Sequence, residues 1–268
     1  MAIDSTATIH KTAIIEQGAK IGAGCSIGAF CTIGPQVTLG QNVNLRSHVV
    51  VEGDTEIGDD TTIWQFASVG SQPQDLKFAG EKTRLVIGKR NMIRESVSIN
   101  PGTAGGGGIT VIGDDCLLML GAHVGHDCHV GNKVVMANHC SLAGHVQVGD
   151  GVILGGMVGV HQYCRIGKYA IIGALSMVAA DVIPYGSVVS ERAGLAGLNL
   201  IGLKRAEMKR SEIHALRAAY SEIFSGDDNL KTRAKKAQAQ NAGVPAIQEI
   251  TDFILGETSR SFCTPKEK

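Results

Sequence analysis

Aliphatic residues recur at every sixth position over most of this chain. They stand at Ile9, Ile15, Ile21, Ile27, Ile33, Leu39, Leu45, Val51, Ile57, Ile63 and Val69, and return at Ile87, Ile93 and Ile99. One place out of phase, they run on from Ile112 through Leu118, Val124, Val130 and Met136 to Val178. Glycine often follows the anchor, as in IGAGCS, IGPQVT and VGDGVI, and a small or β-branched residue such as Cys25, Val37 or Thr61 sits four places after it. A period of six fits neither an amphipathic helix nor an ordinary hairpin sheet. It fits a solenoid of short strands with glycine-rich corners, three hexads to a triangular coil of eighteen residues.

The repeat resembles that of the hexapeptide-repeat family. The resemblance implies a left-handed parallel β-helix, an exception to the usual right-handed crossover. The expected fold is mainly β with an α tail: a parallel β-helix over residues 1–190 and a small C-terminal helical domain over 191–268. Composition changes little in this picture. With 35 glycines and only 4% aromatic residues, the core must be filled by Val, Ile, Leu, Ala and Cys. Six of the seven cysteines (Cys25, Cys31, Cys116, Cys128, Cys140 and Cys164) fall at the inward fourth position. They read as small core filler in a reducing compartment, not as a disulfide framework. Twenty-five basic against 25 acidic residues leave no basic excess for nucleic acid. No run of eighteen apolar residues occurs, and MAIDSTATIH lacks the features of a signal peptide. A cytoplasmic protein without membrane insertion is expected.

Two segments break the rhythm: Ser71 to Val86 (SQPQDLKFAGEKTRLV) and Pro101 to Val111 (PGTAGGGGITV). Excursions from a solenoid tend to share one face, where partners bind. The polyglycine one reads as a tolerated insertion. The hexads end near Val182. Glu207 to Phe224 then reads as an amphipathic helix with Met208, Ile213, Leu216, Ala219, Tyr220 and Ile223 as its apolar stripe. Two further helices are expected around Asp228–Gln240 and Pro245–Gly256, with KTRAKK as a solvated face.

Counting along the coil places the candidate chemistry. With Ile112 as residue zero, His126 falls at phase 14, and His145 and His161, each one coil further on, at 15 and 13. All three stack near one edge, about 4.8 Å apart per coil, and His123 lies round the corner. Folding requires no such column, so it reads as functional. His10, His48, His129, His139 and His214 read as ordinary surface or packing residues. A histidine base is suited to proton transfer at neutral pH. Asp127 follows His126 and is placed to orient it. Gly144, one coil beyond His126, offers a bare N–H to a developing oxyanion. No Ser or Cys nucleophile presents itself, which favours direct attack by an acceptor hydroxyl. Zinc is the competing reading, but γ-class carbonic anhydrases on this repeat use a different histidine spacing from HVGHDCHVG, and no metal or other cofactor is expected.

A closer resemblance rests on IWQFASVGSQPQDLKFAGEKTRLVIG, NMIRESVSINPGT, AHVGHDCHVGN, LAGHVQVGD, GGMVGVHQYCRIG and GLNLIGLKR, in this order. These segments are similar to the UDP-N-acetylglucosamine 3-O-acyltransferase family that begins lipid A synthesis, and the similarity extends over essentially the whole chain. It implies a cytoplasmic homotrimer with active sites between subunits. It also implies transfer of a 3-hydroxyacyl chain from acyl carrier protein to the sugar 3-hydroxyl, without metal or covalent intermediate. On this resemblance His126 is the general base, Asp127 its partner and the Gly144 amide the oxyanion donor. Asp75 and Lys77 match sugar and phosphate contacts, and His123, His145, His161 and Gln162 match nucleotide-sugar or acyl-pocket contacts. Asn199 and Arg205 match the residues at the phosphate and uridine end. Ala174 occupies the acyl-ruler position. One methyl there leaves room for about 12–14 carbons, each buried CH₂ being worth about 0.8 kcal/mol.

The chain departs from the family pattern at Asn100-Pro101-Gly102-Thr103, where members often read HRGT. It also departs at Ile201, where a glutamate is common, and at Ala206, where a second arginine stands. Some relatives take a 3-amino sugar and form an amide. The related N-acyltransferase acting later on a glucosamine amine usually carries an N-terminal uridine-binding domain, whereas hexads begin here by Ile9. A non-catalytic β-helix scaffold would need neither QDLK nor the histidine column.

Overall fold

The computed structural model describes residues 2–189 and 191–265. A parallel β-solenoid forms its body. Mostly two-residue strands end at the anchors, and each pairs with the strand eighteen residues on, as Ile21 does with Leu39 and Val124 with Leu142. The strands stack into three sheets: the first from Ala2–Ile3 to Arg165–Ile166, the second beginning at Thr8–Ile9, the third from Ile14–Ile15 to Met177–Val178. The pleat turns the anchor and the residue two before it inward. Cys25 and Ile27, Val49 and Val51, and Cys140 and Leu142 are accordingly buried. All seven cysteines are free and buried. Some also satisfy a corner carbonyl: Cys31 Sγ donates to Arg46 O at 2.8 Å and Cys128 Sγ to Ala143 O at 3.1 Å. Burial pushes the Cys128 and Cys140 thiols up to about 12, so they pack and do not react.

The corners are where the fold costs energy. The third residue after many anchors takes a left-handed conformation, with φ of 55° at Asn42, 59° at Asp127, 64° at His145, 56° at Met157 and 64° at Tyr163. That conformation is unfavourable for L residues. It persists because the N–H of the turned residue reaches the previous coil: Asn42 donates to Ala23 O at 2.8 Å, Met157 to Asn138 O at 2.9 Å and His145 to His126 O at 2.9 Å. The glycine after the anchor answers a different need. A Cβ on Gly131 would lie 2.8 Å from Asp150 N in the next coil.

Both interruptions leave the solenoid at the corner after the third sheet. The stack closes again across them, with Ile57 paired to Ile87 and Ile87 to Ile112. Their sequence-based bounds, 71–86 and 101–111, run too far. Arg84–Ile87 and Ile109–Ile112 are four-residue strands, because Asp54–Ile57 lengthens to match and the coils above pair along its whole length.

The end of the chain holds more than the periodicity reveals. Beyond Val182 the second sheet gains Gly186–Val189, parallel to Ile171–Ile172, and then Gly194–Leu198, antiparallel to it. Helix α1 (Leu200–Arg205) is too short to show a hydrophobic period. Helix α2 spans Arg210–Phe224, α3 Leu230–Gln240 and α4 Pro245–Leu255. The first of the expected helices starts three residues late, since Glu207 has φ 59° and Lys209 is the N-cap. Ile213, Leu216 and Ile223 of α2 are buried, as are Ile247, Ile250 and Ile254 of α4.

After α4 the chain returns to the last coil. Asp181 N donates to Ser261 O at 2.7 Å, and Cys263 N donates to Asp181 O at 2.8 Å. The buried Asp181 carboxylate holds Arg165 Nε at 2.7 Å, and Arg165 Nη2 reaches Phe253 O at 3.1 Å while stacking over that ring at 4.3 Å. One buried ion pair thus fastens solenoid, helix and tail together.

Met157 tests the corner argument, being 61% exposed and left-handed. Met157→Ile adds a β-branch to that conformation and is expected to cost about 1–2 kcal/mol in urea unfolding. Met157→Gly should stay within about 0.5 kcal/mol of the parent.

Candidate active site

The corner after the third sheet carries the candidate chemistry. Asp127, His145 and Tyr163 occupy equivalent left-handed positions on three successive coils, and His126 precedes the first of them. The Asp127 side chain is fully buried. Its Oδ1 accepts the Thr103 N–H at 2.8 Å, and its Oδ2 accepts Thr103 Oγ1–H at 2.6 Å and pairs with His126 Nδ1 at 2.7 Å. Burial pushes the Asp127 carboxyl up, but the bonds from Thr103 and His126 and the nearby His145 outweigh it. They hold the group below the usual carboxylate range. An ionised carboxylate only accepts, so the proton of the neutral His126 ring sits on Nδ1 and its Nε2 is left with a lone pair.

The polyglycine excursion is therefore more than a tolerated insertion. It delivers Thr103 to the carboxylate, and a Cβ on Gly106 would lie 2.0 Å from Asp127 Cγ. The two excursions also brace each other, since Ala104 N donates to Glu81 Oε1 at 3.2 Å.

The histidine column differs from the counted one. His126 and His145 meet edge to face, with ring centroids 5.0 Å apart, but the next ring is Tyr163, stacked on His145 at 4.3 Å and 4°. Tyr163 shares the phase of His145, whereas His161 lies two residues earlier, round the corner. There it joins His126, Gly144, His123, Gln74, Asn100 and Met177 around a cavity of about 470 Å³. Ser98 Oγ bonds His123 Nδ1 at 2.7 Å, and burial, then the proximity of His126, pushes His123 below the usual histidine range. Burial does the same to His145, opposed by Asp127.

Gly144 lies against His126: a Cβ there would come within 2.5 Å of His126 Cε1. Among the described residues its N–H has no hydrogen-bond partner. At other corners the equivalent N–H is capped from the next coil, as Gln41 N is by Asp59 Oδ1 at 2.9 Å and Asn132 N by Asp150 Oδ1 at 2.6 Å. Asn100, where the family pattern has histidine, donates Nδ2–H to Ser71 O at 3.0 Å. Its Oδ1 is buried and has no hydrogen-bond partner among the described residues.

Asp75 and Lys77 form a turn in the first excursion, with Lys77 N bonded to Asp75 Oδ1 at 3.0 Å, and their charges reach His145. Gln162 is exposed at the same corner. Asn199 and Arg205 are not brought to this cavity. Asn199 caps α1 through Gly202 N at 3.0 Å and, with Arg205 and Ile201, lines a separate cavity of about 860 Å³ against the second sheet. Ala174 sits exposed at the corner before the third sheet, next to Leu175. Thr103, Tyr163 and the tail residue Arg260, which reaches His161 Nδ1 at 2.8 Å, escaped the sequence reading. Only the phase of Tyr163 was a usable signal.

His126, Asp127 and His145 also place ligand atoms within 4.8 Å of one another, the arrangement a metal would need. Asp127 Oδ2, however, is already engaged by Thr103 and His126. The group fits a hydrogen-bonded dyad better than an ion.

Acid should weaken this corner. His123 and His145 protonate later in the fold than in the unfolded chain, so their neutral forms favour the fold above about pH 6.5, and that contribution is lost as pH falls below it. Asp127 adds stability above about pH 3.9 that is lost at lower pH. The thermal midpoint should fall in both windows, and His145→Gln should flatten the upper one.

Among known proteins, the family described as Udp N-acetylglucosamine O-acyltransferase, domain 2, matches residues 181–263. An acyl-[acyl-carrier-protein]–UDP-N-acetylglucosamine O-acyltransferase of Paracoccus denitrificans is 54% identical over 203 residues, covering 76% of this chain and 77% of that one. A Methylobacterium radiotolerans enzyme of the same name is 53% identical over 205 residues, covering 76% and 75%. Among solved structures, the UDP-N-acetylglucosamine acyltransferase of Campylobacter jejuni superposes with a TM-score of 0.91 at 35% identity, over 97% of this chain and 100% of that one. That of Francisella novicida gives 0.86 at 33%, over 99% and 95%. With identity above half over three quarters of both chains, and the same solenoid and helical tail in the solved enzymes, this chain belongs to the family of acyl-[acyl-carrier-protein]–UDP-N-acetylglucosamine O-acyltransferases.

Proposed function

We propose that His126 is the general base for direct transfer of a 3-hydroxyacyl group from acyl carrier protein to the 3-hydroxyl of UDP-N-acetylglucosamine, the first step of lipid A synthesis. The observation that carries this reading is the buried Asp127–His126 dyad, whose free Nε2 belongs to a ring lining the cavity. His126 Nε2 takes the hydroxyl proton as the sugar oxygen attacks the thioester carbonyl. Asp127 keeps the ring in the Nδ1–H tautomer and balances the imidazolium. The uncapped Gly144 N–H donates to the oxyanion. Collapse breaks the C–S bond, and the imidazolium returns its proton to the departing thiolate. No metal or cofactor enters, and chelators should leave the rate unchanged. Asp75, Lys77, His123, His145, His161 and Gln162 bind substrate, and Ala174 limits the acyl chain to about 12–14 carbons. The reaction belongs to the cytoplasm, where acyl carrier protein delivers its thioester.

A mass-spectrometric transfer assay tests the base. His126→Ala should lower turnover by about a hundredfold or more with little change in substrate KM. An equal loss in His129→Ala would sink the assignment. Product formed only from the 3-amino sugar would redirect the acceptor.

We propose a homotrimer with sites shared between subunits. Asn199 and Arg205 line a cavity separate from that of His126, and another copy of the chain could bring them to the same substrate. Exposed apolar residues such as Phe30, Phe66 and Leu175 give a three-sided prism surfaces to share. Light scattering should return three times the chain mass of 28.0 kDa. Mixed oligomers of His126→Ala and Arg205→Ala should regain activity. A monomeric mass would rule out shared sites.

A further inference from the structure

The tail beyond α4 brings a charged side chain to His161, a residue that lines the reaction cavity. Arg260 Nη2 lies 2.8 Å from His161 Nδ1, and Arg260 Nε donates to Gln162 O at 3.0 Å. One guanidinium therefore forks across two adjacent residues of the corner. A guanidinium has donors only. His161 Nδ1 must then be the acceptor, and the ring proton sits on Nε2. The 3.3 Å approach of His161 Nδ1 to Gln162 O is then no hydrogen bond, since both atoms are acceptors.

The arginine is itself held. Arg260 N donates to Thr258 Oγ1 at 3.0 Å, and Thr258 Oγ1–H donates to Asp181 Oδ2 at 2.7 Å. Asp181 is the fully buried carboxylate that also binds Arg165. From the buried ion pair to His161 the chain of contacts is continuous. His161 lines the cavity shared with His126 and Gly144, and among the described residues its Nε2–H has no hydrogen-bond partner.

We infer that Arg260 is a positioning residue: it locks His161 in the Nε2–H tautomer, so that the ring offers a fixed N–H donor to an acceptor oxygen of bound substrate. This rests on the proposed reaction cavity. The oxygen belongs either to the UDP-sugar or to the acyl thioester, and kinetics tell them apart.

Transfer would be assayed with both substrates varied in the wild type, Arg260→Ala, Arg260→Lys, His161→Ala and the Arg260→Ala/His161→Ala double variant, with His126→Ala as reference. Arg260→Ala should lower kcat/KM about tenfold or more, the scale of one charge-assisted hydrogen bond. Arg260→Lys, a single point donor, should recover part of the loss. The double variant should be no worse than His161→Ala within about twofold, since the arginine acts through that ring. A raised KM for the UDP-sugar assigns the oxygen to the sugar, and a raised KM for acyl carrier protein or a lowered kcat assigns it to the thioester. Long-range ¹H–¹⁵N correlation on histidine-labelled protein should show an unprotonated Nδ1 at His161 in the wild type and tautomer averaging in Arg260→Ala. Full activity in Arg260→Ala, losses that multiply in the double variant, or an unchanged His161 tautomer would overturn the proposal. Activity retained in His126→Ala would instead overturn the reading of the cavity.

Discussion

The solenoid hangs on one register: outside the two excursions, residue n lies against residue n+18, coil on coil. The parallel pairing that enforces it also forces the corners into left-handed backbone, and the corner N–H bonded to the previous coil offsets that strain. A side chain at a corner is therefore placed as firmly as one in a strand. That firmness makes the corner a usable site. His145 N–H bonds to His126 O, so the backbone that carries His126 is pinned by the coil above it.

Within this frame a buried carboxylate is held by hydrogen bonds from the chain itself. Asp127 is fully enclosed and stays ionised because Thr103 gives it two donors and His126 a third. The cost of desolvation is met by hydrogen bonds from His126 and from the second excursion. Removing a donor would raise the carboxyl toward protonation, and a neutral Asp127 would no longer fix the tautomer of His126. One glycine of the run is required for this approach: a Cβ on Gly106 would meet the carboxylate, whereas at Gly105, Gly107 and Gly108 it would meet nothing within 4 Å.

The two ends of the solenoid are finished differently. The first coils show an exposed corner column of Phe30, His48 and Phe66, with centroids 5.0 and 5.1 Å apart. The last coil is capped by an added strand pair, four helices and the returning tail, joined through Asp181 and Arg165. The cap is thus part of the site, since the tail it anchors also carries Arg260. A site fastened in this way tolerates little movement between helices and solenoid.

Periodicity alone determined the solenoid, its coil length, the inward role of six cysteines and the corner on which His126, Asp127 and Gly144 meet, because a strict repeat converts sequence position directly into spatial position. Helices α2, α3 and α4 were legible from hydrophobic spacing and from breaks in the chain. Only the tertiary structure decided the rest. Where the repeat is interrupted, counting loses its meaning, so the arrival of Thr103 at Asp127 and the true ends of both excursions could not be read. A phase difference of two residues, small on paper, turns a corner, which is why Tyr163 and not His161 stacks on His145. The tail has no period at all, and Arg260 reaches His161 through contacts between residues 99 positions apart, which no local pattern encodes.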